Sequence, residues 1–177
     1  MEKIEDIDSE ILFPNRKDFI KDNIAKEFNK VAIFDISGFG NINHYYGYDF
    51  GEKILKMVAR GLGNKLLNGK SYYLGADIFA ATSNETVSKD RFVQAVKSII
   101  WYFGYSPIEL NGYKVYIPLR AGVAINYAEL LFCAEYALKQ TRVIKHNLVV
   151  YDNEQHHICN PSSLSIEQEL YWETQII

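Results

Sequence analysis

Two aspartates in this chain stand where carboxylates do chemistry. Asp35 interrupts the apolar run Val31-Ala32-Ile33-Phe34-Asp35-Ile36, which reads as a strand. Aspartate is depleted from strands and costly to bury without a partner. Asp77 closes the small turn Gly75-Ala76-Asp77, between strand signals at Ser71–Leu74 and Ile78–Ala81. Such a turn lifts an acid to a hairpin tip, within reach of a metal or a phosphate. An acid in a strand and an acid on a hairpin tip could share a divalent cation. Each also has a plainer reading. Asp35 could be a strand-end acid satisfied by backbone N–H groups, and Asp77 a turn aspartate bonded to its own backbone.

The elements that must position these acids follow from periodicity. Pro14 suits a turn or helix start, and Arg16 to Phe28 reads as an amphipathic helix with Phe19, Ile20, Ile24 and Phe28 on one face. After the strand at Val31–Ile36 and a turn at Ser37–Gly40, a short helix is expected from Asn41 to Tyr46, ended by Gly47. A longer helix, about Gly51 to Leu67, carries Ile54, Leu55, Val58, Leu62 and Leu66 on its core face. Ser88 is an N-cap for a helix to about Phe103. Asn111-Gly112, between Pro107–Leu110 and Tyr113–Ile125, is the strongest short hairpin signal in the chain. A helix from Tyr127 to about Lys145 and a strand at Leu148–Tyr151 complete the order. Pro161-Ser162-Ser163 reads as a linker, and a helix start follows from Leu164. Two hairpin connections exclude a doubly wound parallel sheet. The fold class expected is α+β, a mostly antiparallel central sheet of about five strands flanked by helices.

Composition bounds the partners. The 177 residues suit a single domain with a real core, and 48% hydrophobic with 23% charged residues is ordinary for a globular protein. A net charge of -3 provides no basic stripe for nucleic acid. No apolar run approaches the roughly 20 residues of a membrane helix, so no direct membrane contact is expected in this segment. The acidic start does not read as a signal peptide, and Cys133 and Cys159 lack metal-ligand spacing. A cytoplasmic location is expected, as a free protein or as the cytoplasmic part of a larger, membrane-linked signalling protein.

The ordered motifs resemble the GGDEF family, the diguanylate cyclase domain of bacterial signalling. Asp8 to Arg16, ending Phe-Pro-Asn-Arg, looks like D-x-L-T-G-L-P-N-R. Phe34 to Asn43 looks like D-x-D-x-F-K-x-I-N, and Tyr46 to Glu52 like F/Y-G-H-x-x-G-D. Gly75-Ala76-Asp77-Ile78-Phe79 stands for the signature G-G-D/E-E-F. Arg120-Ala121-Gly122-Val123-Ala124 resembles S-x-G-V-A, and Ala134–Leu138, Asn147 and Val150-Tyr151 resemble the last helix and strand. The resemblance implies a palm-like, nucleotide-cyclase-type sheet with the signature on a hairpin. Active members of the family condense two GTP molecules into cyclic di-GMP, one held by each domain of a face-to-face dimer.

Carried over residue by residue, the resemblance assigns Asp35, Ile36 and Asp77 to magnesium, bound only if GTP binds. It assigns Asp77 to catalysis, and Phe39, Asn43, Glu52, Gly75, Arg142 and His146 to the nucleotide. Departures concentrate on metal and phosphate. Ile78 replaces the second signature acid and supplies no charge. Ala76 replaces the second glycine, with a penalty of about 1 kcal/mol or more for any left-handed backbone there. Ser37 replaces an Asp of the first block, and Gly40 replaces a phosphate-facing Lys. At the guanine positions Asn43 is kept and Glu52 keeps its charge. An amide can pair with the guanine edge as donor and acceptor. The product-inhibition motif R-x-x-D is absent before the signature, where Leu66-Leu67-Asn68-Gly69 stands.

The resemblance thus implies a degenerate GGDEF domain at 13–153, a lead-in at 1–12, and at 154–177 a linker and helix start. Leu164–Leu170 resembles the helix that leads to a following EAL phosphodiesterase domain. The expected role is regulatory, with GTP binding and modulation of an EAL or sensor domain in the same chain or another subunit, and a homodimer in view. A weakly active cyclase and a dimerisation scaffold that binds no nucleotide are the alternatives.

Overall fold

The computed structural model describes residues 13–65 and 69–152. The lead-in at 1–12, the segment 66–68, residue 153 and the linker and helix start at 154–177 lie outside the described residues. The elements run α1 (Arg16–Ile24), β1 (Lys30–Ile36), α2 (Phe39–Tyr46), α3 (Tyr48–Lys65), β2 (Ser71–Gly75), β3 (Ile78–Ser83), α4 (Lys89–Tyr105), β4 (Ile108–Leu110), β5 (Tyr113–Val115), β6 (Leu119–Ile125), α5 (Leu130–Ile144) and β7 (Leu148–Val150).

A five-stranded sheet of order β2-β3-β1-β6-β7 forms the centre. Its β1–β3, β1–β6 and β2–β3 pairs are antiparallel and only β6–β7 is parallel. The expected α+β class with a mostly antiparallel five-stranded sheet is therefore observed. Every residue of β1 is buried, because helices cover both faces of the central strand. That double coverage explains a continuous apolar run in place of alternation. Ala32, Phe34 and Ile36 pack on one face with Ile54, Val58 and Leu62 of α3 and Val96 and Ile99 of α4. Val31 and Ile33 face the other way, onto Phe19 of α1 and Ala134, Ala137 and Leu138 of α5. Side chains alternate along a strand, so Asp35 shares the α5 face with Val31 and Ile33.

Several boundaries differ from the sequence expectation for identifiable reasons. The first helix stops at Ile24, four residues early, where Lys26 turns left-handed at φ 54°. Phe28 still reaches the core and packs on Phe19, ring centroids 5.4 Å apart. The run Tyr113–Ile125 is not one strand. It splits into β5 and β6 around Pro118, which has no N–H for a ladder. Asn111 and Gly112 do form a turn with both φ positive, 51° and 79°, but that hairpin makes a separate two-stranded ribbon. Ser88 caps α4 as expected, accepting from Arg91 N–H. Gly122 is required by packing. A Cβ there would overlap the Ala134 carbonyl and Leu138 N–H and lie 2.8 Å from Leu138 Cα, so only glycine lets α5 rest on β6.

Candidate functional site

Asp35 is the next-to-last residue of β1, where the ladder sets Ile78 of β3 on one side and Arg120 of β6 on the other. Its side chain is 1% exposed. A carboxylate so placed must be paired or it costs several kcal/mol. Arg120 pairs it in a fork: Nε donates to Oδ1 and Nη2 to Oδ2, each at 2.9 Å. Bidentate geometry of this kind is the strong form of a charge-assisted hydrogen bond. Arg142, in the last turn of α5, adds a third bond, Nη2 donating to Oδ2 at 2.7 Å. Both carboxylate oxygens thus face guanidinium donors. Among the described residues no group of three or more His, Cys, Asp or Glu side chains is placed to hold a metal. The donor set does not fit magnesium, which needs free carboxylate oxygens in near-octahedral geometry.

The signature hairpin borders this cluster. Gly75 has φ 114° and Ala76 φ 51°, so the alanine does take the left-handed backbone that a glycine would adopt without cost. The Tyr73 hydroxyl donates to the Ala76 carbonyl at 2.8 Å, and Ile36 N–H to the Asp77 carbonyl at 3.3 Å. Burial pushes the Asp77 carboxyl above the usual carboxylate range. A bond from its own backbone opposes the shift, the Asp35 charge adds to it, and Arg142 and Arg120 oppose it. That backbone bond is what the turn-aspartate reading expects. Ile36 places its side chain in the core of the opposite face, away from the carboxylates. Phe79 is buried, its ring centroid 5.2 Å from that of Tyr73.

A second locus lies between α2 and α3. Gly47, at φ 88°, ends α2, and the next helix begins at Tyr48. This close return brings Gly51 against Asn43. A Cβ on Gly51 would overlap Asn43 Oδ1 and lie 3.0 Å from its Cγ and 3.3 Å from Phe39 Cζ. Asn43 Oδ1 is buried and, among the described residues, accepts no hydrogen bond. Buried acceptors are nearly always satisfied, and this one stands beside a helix position that carries no Cβ. Glu52 is the next residue of α3 after Gly51, its side chain 66% exposed and 3.6 Å from Lys56.

Of the residues singled out in the sequence, the fold gathers Asp35, Asp77 and Arg142 at one locus and Phe39 and Asn43 at another. His146 is exposed, just past the left-handed Lys145 that ends α5, and its N–H donates to the Thr141 carbonyl. None of the ion pairs at Asp35 involves His146. Arg120 and Gly51 are the additions. In the sequence Arg120 stands only as the first residue of the run that resembles S-x-G-V-A. An aspartate inside an apolar strand signals a buried partner of opposite charge, and an arginine inside another apolar strand is the matching signal.

In sequence, no family model and no curated protein matches the chain. In structure, the chain is similar to the GGDEF domain of DgcB from Caulobacter crescentus, solved in complex with c-di-GMP. The TM-score is 0.71 at 16% identity, covering 84% of this chain and 98% of that one. The GGDEF domain of YfiN (TpbB) from Pseudomonas aeruginosa matches with TM-score 0.68 and 22% identity over 80% of this chain and 98% of that one. An EAL/GGDEF domain protein from M. capsulatus matches with TM-score 0.66 and 19% identity, covering 78% and 99%. The chain has the GGDEF-domain fold, with its palm-like sheet and helical layers. Among the described residues no helix is long and apolar enough to cross a membrane.

Proposed function

We infer that this GGDEF-like domain serves cyclic di-GMP signalling as a regulatory module, holding a guanine nucleotide without condensing it. The observation that carries this is the buried Oδ1 of Asn43, which has no hydrogen-bond partner among the described residues and lies against Gly51 and Phe39. An acceptor held there suits the N–H donors of a guanine edge, and the exposed Glu52 carboxylate one residue on offers a second acceptor. Against catalysis stands the other locus. Ile78 adds no carboxylate beside Asp35, and Asp35 is bound to guanidinium groups. Phosphoryl transfer depends on charge neutralisation through positioned metal, and this arrangement lacks the ligands for it. A regulatory role attached to an EAL domain is supported by the likeness to the EAL/GGDEF protein of M. capsulatus, together with the EAL-linker resemblance of Leu164–Leu170.

Calorimetric titration with GTP and ATP, on the wild type and on Asn43→Ala, tests the assignment. Saturable GTP binding, much weaker ATP binding and at least a tenfold loss of GTP affinity in N43A are expected. Equal affinity for the two nucleotides, or an unaffected N43A variant, would remove the base pocket from the account. Absence of any nucleotide binding would favour the scaffold.

A further inference from the structure

We propose that Arg120 is a built-in cation. Its guanidinium, joined by that of Arg142, takes the place beside Asp35 that a divalent ion would need, and nucleotide binding proceeds here without magnesium. The second clause rests on the nucleotide reading above, and the first stands apart from it.

Arg120 is anchored by more than its ion pair. It is the direct ladder partner of Asp35 across β1 and β6, so the backbone fixes its origin beside the carboxylate. Directly opposed side chains on antiparallel strands are the closest neighbours a sheet provides. The guanidinium is planar, permanently charged and forked to match a carboxylate, whereas a divalent ion needs oxygen ligands with free lone pairs. To bind Asp35, an ion would have to displace both arginines from a side chain that is 1% exposed. It would also meet two guanidinium groups bonded to that carboxylate, each of which repels a cation. The other ladder neighbour, Ile78, offers no ligand in exchange. Arg142 differs from Arg120 in exposure, 65% against 22%. Arg120 therefore neutralises Asp35 from within, and Arg142 presents charge at the surface, where a nucleotide phosphate can be met by guanidinium donors in place of a metal.

Manganese titration of the nucleotide-free protein, followed by the electron paramagnetic resonance of free Mn2+, tests the first clause. The wild type is expected to retain no manganese at hundreds of micromolar. Removing both guanidinium groups, in R120S/R142S, is expected to let it bind, and adding Asp35→Asn to abolish that binding again. Wild-type binding abolished by Asp35→Asn would overturn the proposal, and so would a folded R120S/R142S that binds none. Should R120S/R142S fail to fold by circular dichroism, the wild-type and Asp35→Asn titrations decide alone. The second clause is read from GTP titrations in magnesium and in EDTA. Wild-type affinity is expected to agree within twofold, and a tenfold loss in EDTA would refute metal independence. A protein that binds no GTP in either buffer fails the nucleotide reading, while the manganese result still judges Arg120.

Discussion

Gly51→Ala separates the base pocket from the stability of the fold. Position 51 lies inside α3, where glycine costs about 1 kcal/mol relative to alanine, so helix propensity alone makes the substitution stabilising. The new Cβ would overlap Asn43 Oδ1, the free end of a side chain, and its three nearest neighbours are all side-chain atoms of Asn43 and Phe39. Turning the Asn43 amide aside costs about 0.5–1.5 kcal/mol if it leaves its rotamer, which roughly cancels the gain. The melting temperature should therefore move by no more than about 3 °C in a chain of this size. Binding responds differently. A displaced amide and a filled cradle leave guanine N–H groups without their acceptor, at about 1.5–3 kcal/mol, or roughly a 10- to 100-fold loss of affinity. Calorimetry with GTP, paired with thermal melts on the same preparations, reads both quantities. An alanine variant that melts as the wild type does and binds GTP equally well would refute the pocket. So would a variant that gains the full helix-propensity stabilisation with no penalty, because Asn43 would then not lie where it is described.

Ala76→Gly should stabilise the protein by about 1 kcal/mol, because alanine is held at φ 51° in the signature turn; urea denaturation reads this, and a lower midpoint would contradict the strain. Glu135 supplies a pH dependence. Burial raises its carboxyl to about 7, against the opposing pull of Arg16 and Lys139. A carboxyl raised on folding gives stability that is complete below its unfolded pKa and lost as pH rises through the folded one. Stability should thus fall between about pH 4.5 and 7, by at most about 3 kcal/mol from this group. Glu135→Gln should flatten that slope, matching the wild type at pH 4 and exceeding it at pH 8, and an unchanged slope would show that the side chain is solvated.

What was legible in the sequence was whatever one segment decides by itself. The apolar β1, the Ser88 cap, the Asn111-Gly112 turn and the end of α2 at Gly47 each depend on local steric or hydrogen-bonding rules. The ordered motifs then brought the fold itself within reach. Less legible were features set by distant chain. Asp35 declared that it needed a partner, but that partner, Arg120, is 85 residues away and is chosen by strand register. The single run Tyr113–Ile125 looked continuous because Pro118 is tolerated at a strand edge. Only the fold decides that Ile117 N–H bonds the Phe103 carbonyl and that β6 begins afresh beside β1. Ala76 is the reverse case, since the cost of a left-handed alanine follows from its Cβ alone and its φ of 51° meets that cost. For Asn43 the sequence supplied the amide, and the cradle that leaves its oxygen unpaired among the described residues required Gly51 in place.

The decisive experiment is an equilibrium one. The protein, at about 100 µM, would be dialysed to equilibrium against millimolar GTP and magnesium. Chromatography of the protein and free-nucleotide fractions would follow, with GTP above the free level counted as bound. Since binding at 1 mM corresponds to only about 4 kcal/mol, even a modest pocket would be visible. Intact GTP above the free level in the protein fraction, with no cyclic di-GMP in either, is the predicted result. Accumulating cyclic di-GMP would contradict it and make this domain a working cyclase despite Ile78 and Arg120.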